Sequence, residues 1–226
     1  MEKVSGNVFV ETKIRGCNPG YVVTSDGVVV IDTPQLPTYA VKMRKEAESH
    51  SPIRYIINTE HHVDHIFGNY FFRGKGIVIS HVEVYRQFML VTPTINPYAY
   101  AKEAIPTDDP EGTSIFPDEE TYFADPNKPT ITFEGKMTLR VGDHNFELIS
   151  TPGHSKGQIA VYIPEEKVVF TGDTIFNQCQ TWFHEADPDQ WLDSLKLIDS
   201  LDVDYIVPGH GPVCTKTYIP IQSAFI

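Results

Sequence analysis

No stretch of this chain comes near the roughly 18 consecutive apolar residues that a membrane-crossing helix needs, so none is expected. The opening residues, Met1 to Asn7, lack the apolar core of a secretory signal, which leaves the cytoplasm as the expected compartment. Cysteine is scarce. Cys17, Cys179 and Cys214 lie far apart with no C-x-x-C pair, the pattern of free thiols in a reducing compartment. Cys214, four residues past His210, is at most a marginal metal candidate. Basic residues are outnumbered, 18 against 30 acidic ones, for a net charge of −12. That surplus argues against a nucleic-acid partner and against an anionic membrane surface. There is no G-x-S-x-G for a serine nucleophile, and no G-x-G-x-x-G or P-loop to cradle phosphates. No internal repeat of solenoid period is present.

What remains is a chain of 226 residues with 41% hydrophobic and 21% charged content, enough for one domain, 1–226, with a full core. Strand signals fall at residues 7 to 14 and 20 to 31, the second broken by the hairpin turn Ser25-Asp26-Gly27. Residues 37 to 49 have helical composition, 54 to 58 and 76 to 80 read as strands, and 81 to 92 as a helix. From about 92 to 129 the texture changes. Seven prolines and a scatter of aromatics predict a long irregular insertion, read as a lid or pocket wall, with a surface excursion or dimer contact as the other reading. Strands return at 130 to 133, 137 to 141, 145 to 150, 158 to 163 and 167 to 170. Asp187-Pro188 opens a helix with Trp191, Leu195 and Ile198 at core spacing, and Tyr205-Ile206-Val207 is the last strand.

The densest chemistry sits at Thr59 to Asn69, T-E-H-H-V-D-H-I-F-G-N, directly after the apolar run Tyr55-Ile56-Ile57. Imidazoles and carboxylates at a strand's C-terminal end are placed where open α/β sheets carry out reactions. On an extended segment side chains alternate, so Glu60, His62 and Asp64 would share one face and His61 would point away into a supporting role. Three later clusters repeat the theme: Thr151-Pro152-Gly153-His154, Thr171-Gly172-Asp173 and Pro208-Gly209-His210-Gly211. Gly153 and Gly209 would let the backbone turn sharply before each histidine. His184 is a candidate for the pocket edge. His50, His81 and His144 read as surface or satisfied core histidines.

Glu60 to His65, E-H-H-V-D-H, resembles the H-x-H-x-D-H signature of the metallo-β-lactamase superfamily, with Glu60 in place of the first histidine. The three later clusters match that family in order and separation from Asn18 to Gly211. The resemblance implies an α/β fold, an αββα sandwich of two mixed sheets flanked by helices. It implies one ion held by Glu60, His62 and His154, a second by Asp64, His65 and His210, with Asp173 bridging, and Asp32 supporting the site from behind. Asp32 before Thr33-Pro34 reads equally as a turn cap. Two divalent ions, zinc first and manganese or iron as alternatives, would supply a hydroxide to attack a carbonyl carbon or phosphorus, with Asp64 and Asp173 as catalytic residues. The expected function is hydrolysis of an ester, lactone, thioester, amide or phosphoester bond of a small molecule. The alternatives are an iron-dependent oxidoreductase of the same fold and a regulatory protein with a degraded site. A homo-oligomer is open. Glu60 adds a third carboxylate, making the centre a weaker Lewis acid and better suited to hard metals.

Overall fold

Runs of β-branched residues build two sheets in the computed structural model, which describes residues 1–90 and 96–226. The first sheet carries β1 (Glu2–Lys3), β2 (Val8–Val10), β3 (Gly20–Thr24), β4 (Gly27–Ile31), β5 (Ile53–Asn58), β6 (Ile77–His81) and β7 (Ile131–Phe133) side by side in that order. Its neighbours are antiparallel as far as β4 and parallel from β4 to β7. The second sheet holds β8 (Lys136–Val141), β9 (His144–Ser150), β10 (Ile159–Ile163), β11 (Val168–Phe170) and β12 (Tyr205–Val207), with only β11 and β12 parallel. The helices are α1 (Pro37–His50), α2 (Val63–Ile66), α3 (Val82–Met89), α4 (Pro97–Asp108), α5 (Glu119–Ala124), α6 (Pro188–Ser200) and α7 (Ile219–Phe225). Among the described residues no helix is long and apolar enough to cross a membrane.

The alternation of side chains along β4 shows how the layers stack. Val29 and Ile31 face the second sheet, where they join Phe146, Leu148, Val161 and Phe170 in the central core. Val28 and Val30 face the other way, under Ala40, Met43 and Ala47 of α1. On the far side, Ala160, Val169 and Ile206 are covered by Trp191, Leu195 and Ile198 of α6. The result is the expected αββα sandwich. A strand buried on both faces reads as an unbroken apolar run, which is what Gly27 to Ile31 is.

The proline-rich stretch departs from its expectation of irregular structure. Val91 to Ile95, which include its first residues and Pro93, lie outside the described residues. Beyond them, Pro97 stands in the first turn of α4, where its missing N–H costs nothing, and Asn96 accepts the Ala99 N–H at 3.1 Å as the cap. Asp118 likewise caps α5 through Thr121 N–H at 2.7 Å. Tyr98, Ile105 and Tyr122 are buried against Phe67 and Phe71 on the outer face of the first sheet. Asp109 is buried and anchors the segment to α1, accepting from Thr38 N–H at 2.8 Å and Thr38 Oγ1 at 2.6 Å. At the end of α4, Asp108 makes a two-pronged ion pair with Arg15, at 2.8 and 2.7 Å.

At the end of the sandwich where β11 begins, Glu166 ties the two sheets together. It accepts from Ser5 Oγ (2.7 Å), Asn7 Nδ2 (2.7 Å) and Asn7 N–H (3.1 Å), and lies 3.0 Å from His144 Nε2. Burial would raise the Glu166 carboxyl, but His144, Ser5 and Asn7 hold it at about 2 against an ordinary 4.5. Burial likewise lowers His144, but Glu166 and Asp143 raise it above its ordinary 6.5. The Glu166 contribution is therefore present above pH 4.5 and lost as pH falls towards 2. The His144 contribution is present below pH 6.5 and lost as pH rises through its raised value. Glu166→Gln is expected to cost about 1–3 kcal/mol in denaturant unfolding at about pH 5.5, with the gap narrowing at about pH 3 and again at about pH 9. A gap that does not change with pH would show that this ion pair adds nothing.

Candidate metal centre

Four loops converge at one edge of the sandwich. They follow β5, β9, β11 and β12 and carry Glu60 to His65, His154, Asp173 and His210. The first loop does not stay extended as its alternation suggests. β5 ends at Asn58, and His62 sits at the N-terminus of α2, so the chain coils from Val63 onward. That turn separates Asp64 from the face of Glu60 and His62 and delivers it with His65 to the other side. The atoms then fall into two groups, Glu60, His62, His154 and Asp173 in one, and Asp64, His65 and His210 in the other.

Within the first group His62 Nδ1 lies 2.8 Å from Glu60 Oε2 and 3.2 Å from His154 Nε2. His154 Nε2 is 3.6 Å from Glu60 Oε1 and 3.4 Å from Asp173 Oδ2. In the second, His210 Nε2 is 3.3 Å from Asp64 Oδ2, and His65 Nε2 is 3.8 Å from the same oxygen. Asp173 lies between the groups, with Oδ2 3.3 Å from His210 Nε2 and Oδ1 3.1 Å from His65 Nε2. The structure thus brings all seven residues of the sequence-derived set together.

These residues fit divalent ions on their own chemistry. Both oxygens of Glu60, Nε2 of His65 and Oδ1 of Asp173 are buried without a hydrogen-bond partner. Buried carboxylate oxygens without a donor are costly, and a cation is the partner that carboxylates and imidazole lone pairs share. Burial would raise Glu60, but His62 and the other imidazoles hold it at about 2. Burial would lower His210, but Asp173 and Asp64 raise it to about 9. Burial also lowers His62 and His65, and the surrounding acidic groups bring both well above the ordinary imidazole value.

The first supporting groups are oxygen acceptors at the far nitrogens of the histidines. Asp32 is buried at a left-handed φ of 53°, accepting from Thr59 N–H at 2.7 Å and Thr59 Oγ1 at 2.6 Å, with its Oδ2 2.9 Å from His65 Nδ1. A non-glycine residue in that conformation is held there by its contacts. Of its two sequence readings, the supporting one describes these contacts. His154 Nδ1 lies 3.0 Å from the Trp182 carbonyl. Behind α2 the Asn58 side-chain amide donates to the His65 carbonyl at 3.1 Å, and Asn69 donates back to Asn58 Oδ1 at 2.7 Å. Cys17 is buried and donates to the Asp64 carbonyl at 2.9 Å. Cys214 instead pairs through its backbone with Ile206 and joins no ligand group among the described residues.

Gly153 has φ 147°, as a sharp turn requires, but Gly209 is there for space. A Cβ on Gly209 would collide with Asp173 Oδ1, so any larger residue would displace the central carboxylate. His61 points away from the centre, as alternation predicts, and its Nε2 is 3.2 Å from Glu185 Oε1. His184 is exposed and makes no contact with the centre; its neighbour Glu185 does, which no feature of the sequence singled out. His81 caps α3 by accepting the Glu83 N–H, and His50 packs against Phe9 and Tyr21.

A family model described as the metallo-β-lactamase superfamily matches residues 13–210. The chain is 27% identical over 229 residues to a "Beta-lactamase-like protein 2 homolog" of Caenorhabditis elegans, covering 96% of this chain and 65% of the relative. It is 26% identical over 193 residues to a hydroxyacylglutathione hydrolase of Thermosynechococcus vestitus, covering 79% of this chain and 60% of that one. The chain therefore spans less than two thirds of the length of either relative. Its fold is similar to that of a solved metallo-β-lactamase from Pontibacter korlensis, with a TM-score of 0.74 at 18% identity over 99% of this chain and 96% of that one. Together with the αββα architecture and the four converging loops, the match over residues 13–210 shows that this chain belongs to the metallo-β-lactamase superfamily.

Proposed function

We propose that this protein is a metal-dependent hydrolase of a small molecule, cleaving an ester, thioester, lactone, amide or phosphoester bond. The observation that carries this reading is the set of buried, unpartnered ligand atoms of Glu60, His65 and Asp173 at the meeting point of four loops. Glu60, His62, His154 and Asp173 would hold one divalent ion, and Asp64, His65 and His210 with Asp173 a second. Divalent ions there would lower the pKa of a bound water and polarise the bond under attack. Asp173, reaching both groups, would set their separation. Asp64 is 18% exposed, against 5% for Asp173 and 0% for Glu60, so it is the carboxylate on the accessible side. We read its carboxylate as the group that would orient the attacking water and take up its proton. Arg15, braced by Asp108, would steady the adjoining loop, where a Cβ on Gly16 would contact Asp64 Cβ at 3.2 Å. The hydroxyacylglutathione hydrolase among the relatives makes thioesters the first substrates to try.

The oxygen-rich group around Glu60 also supports a second reading. Two imidazoles with two carboxylates suit iron or manganese as well as zinc, so an iron-dependent oxidoreductase on this fold competes. Elemental analysis of protein purified without a histidine tag is expected to show about two divalent ions per chain. Chelation should abolish hydrolysis of an ester and thioester panel, and zinc or manganese should restore it without oxygen uptake. Iron alone, with substrate-dependent oxygen consumption, would replace the hydrolase reading with the second. A chain free of metal after supplementation would defeat both.

A further inference from the structure

We infer that Glu185 is a positioning residue that sets the orientation and tautomer of His62, and so governs the affinity of the ion held by Glu60, His62, His154 and Asp173. This rests on the reading of that group as an ion site. His62 turns Nδ1 inward, 2.8 Å from Glu60 Oε2 and 3.2 Å from His154 Nε2. A neutral imidazole has one N–H, so with Nδ1 as the ligand atom the proton must reside on Nε2. Nε2 is 3.4 Å from Glu185 Oε1, and no other carboxylate lies near that nitrogen among the described residues. The same oxygen is 3.2 Å from His61 Nε2, and the two imidazole rings lie 4.6 Å apart at 48°. One carboxylate thus engages the outward nitrogens of two consecutive histidines.

The need for such a residue follows from exposure. The His65 and His154 side chains are 0% and 1% exposed, and each has its outer nitrogen fixed, by Asp32 and by the Trp182 carbonyl. His62 is 30% exposed, the most open of the four histidines, so water competes for its orientation. Glu185, itself 37% exposed but shared with His61, is the acceptor that stands at that nitrogen in water's place. A surface ion pair by itself is worth little. An acceptor behind a ligating imidazole acts differently, by raising the basicity of the ligand and fixing its direction, and its loss costs about 10–100-fold in metal affinity. His61 shares the carboxylate and restrains it from the side. Glu185 comes from the segment between β11 and α6, so the second sheet's loop aims a ligand borne by the first.

The test is competition between the protein and a chromophoric chelator for zinc alone, with cobalt absorption reporting the coordination, on wild type, Glu185→Ala and Glu185→Gln. Wild type should bind two ions. Glu185→Ala should weaken one of them by about 10–100-fold and alter the cobalt spectrum, leaving the other ion and the unfolding midpoint of metal-free protein unchanged. Glu185→Gln retains an acceptor oxygen and should recover most of the affinity. Glu185→Ala binding both ions as wild type does would overturn the inference. So would both ions weakening together with the metal-free stability, which would mark a purely structural role. Wild type with no ion at the His62 group would defeat the ion-site reading itself, and this inference with it.

Discussion

Asp173→Ala is expected to lower hydrolytic turnover on the order of 10³-fold or more, the scale at which removing one preorganised electrostatic stabiliser acts. The Asp173 carboxylate reaches both groups, at 3.1 Å from His65, 3.3 Å from His210 and 3.4 Å from His154, whereas Glu60 touches the second group only at His65, at 3.5 Å. Its removal should disturb both ions, and the metal content should fall below that of wild type. The fold should persist, because the turn that carries Asp173 is held by backbone hydrogen bonds, Thr171 N–H to the Val207 carbonyl at 2.9 Å and Gly209 N–H to the Gly172 carbonyl at 2.7 Å. Circular dichroism, elemental analysis and turnover on one preparation read all three. Unchanged turnover with unchanged stoichiometry would leave Asp173 as an ordinary turn aspartate and remove the two-ion centre.

Glu60→Ala is expected to release one ion and retain the other. Glu60 is fully buried, and its oxygens lie 2.8 Å from His62 and 3.6 Å from His154, in the group that does not contain Asp64 and His210. Without it, two neutral imidazoles and a shared carboxylate remain, a poor cage for a divalent ion. Stoichiometry should drop from about two to about one, with turnover falling to an extent comparable to Asp173→Ala. Glu60→His should bind two ions again, with preference moved towards zinc, since imidazole is softer than carboxylate. Isothermal titration of the metal-free variants with zinc and manganese separates the cases. Identical affinities for wild type and Glu60→Ala would show that Glu60 is no ligand.

Much of this was legible in the sequence because it is local. β-branched runs bounded by turn residues gave the strands, and Asp187-Pro188 gave the start of α6, where Asp187 does accept the Gln190 N–H at 3.1 Å. The four loop clusters were visible because each packs its chemistry into a few consecutive residues. The geometry between Glu60 and Asp64 was misread, because alternation holds only while the chain is extended, and α2 begins at Val63. The proline-rich stretch is helical in part because Pro97 stands in the first turn of α4, where a proline does not interrupt a helix. Glu185, the Trp182 carbonyl and the Asn58–Asn69 pair act through contacts that tertiary packing creates. His154 and Trp182 are 28 positions apart, and His62 and Glu185 sit in different halves of the chain. An exposed glutamate in a loop has no local signature, and a backbone carbonyl has none at all.

The ties between the two sheets differ in kind at the two ends of β11. Where it begins, Glu166 is matched with donors from Ser5, Asn7 and His144, and Ser25 N–H donates to Asp143 at 2.9 Å. That seam is self-sufficient, since each acceptor meets a donor supplied by the chain. Where it ends, the sheets meet through the buried carboxylates of Glu60 and Asp173 and the imidazoles around them, a set that a divalent ion would join. The molecule therefore resembles a book with a sewn spine and a clasp that a divalent ion from solution would close. Binding at the clasp stabilises the closed pair of sheets in proportion to the free ion available. Its ligands are carried on opposing covers, so a slip at the spine would also misplace His62 relative to His154.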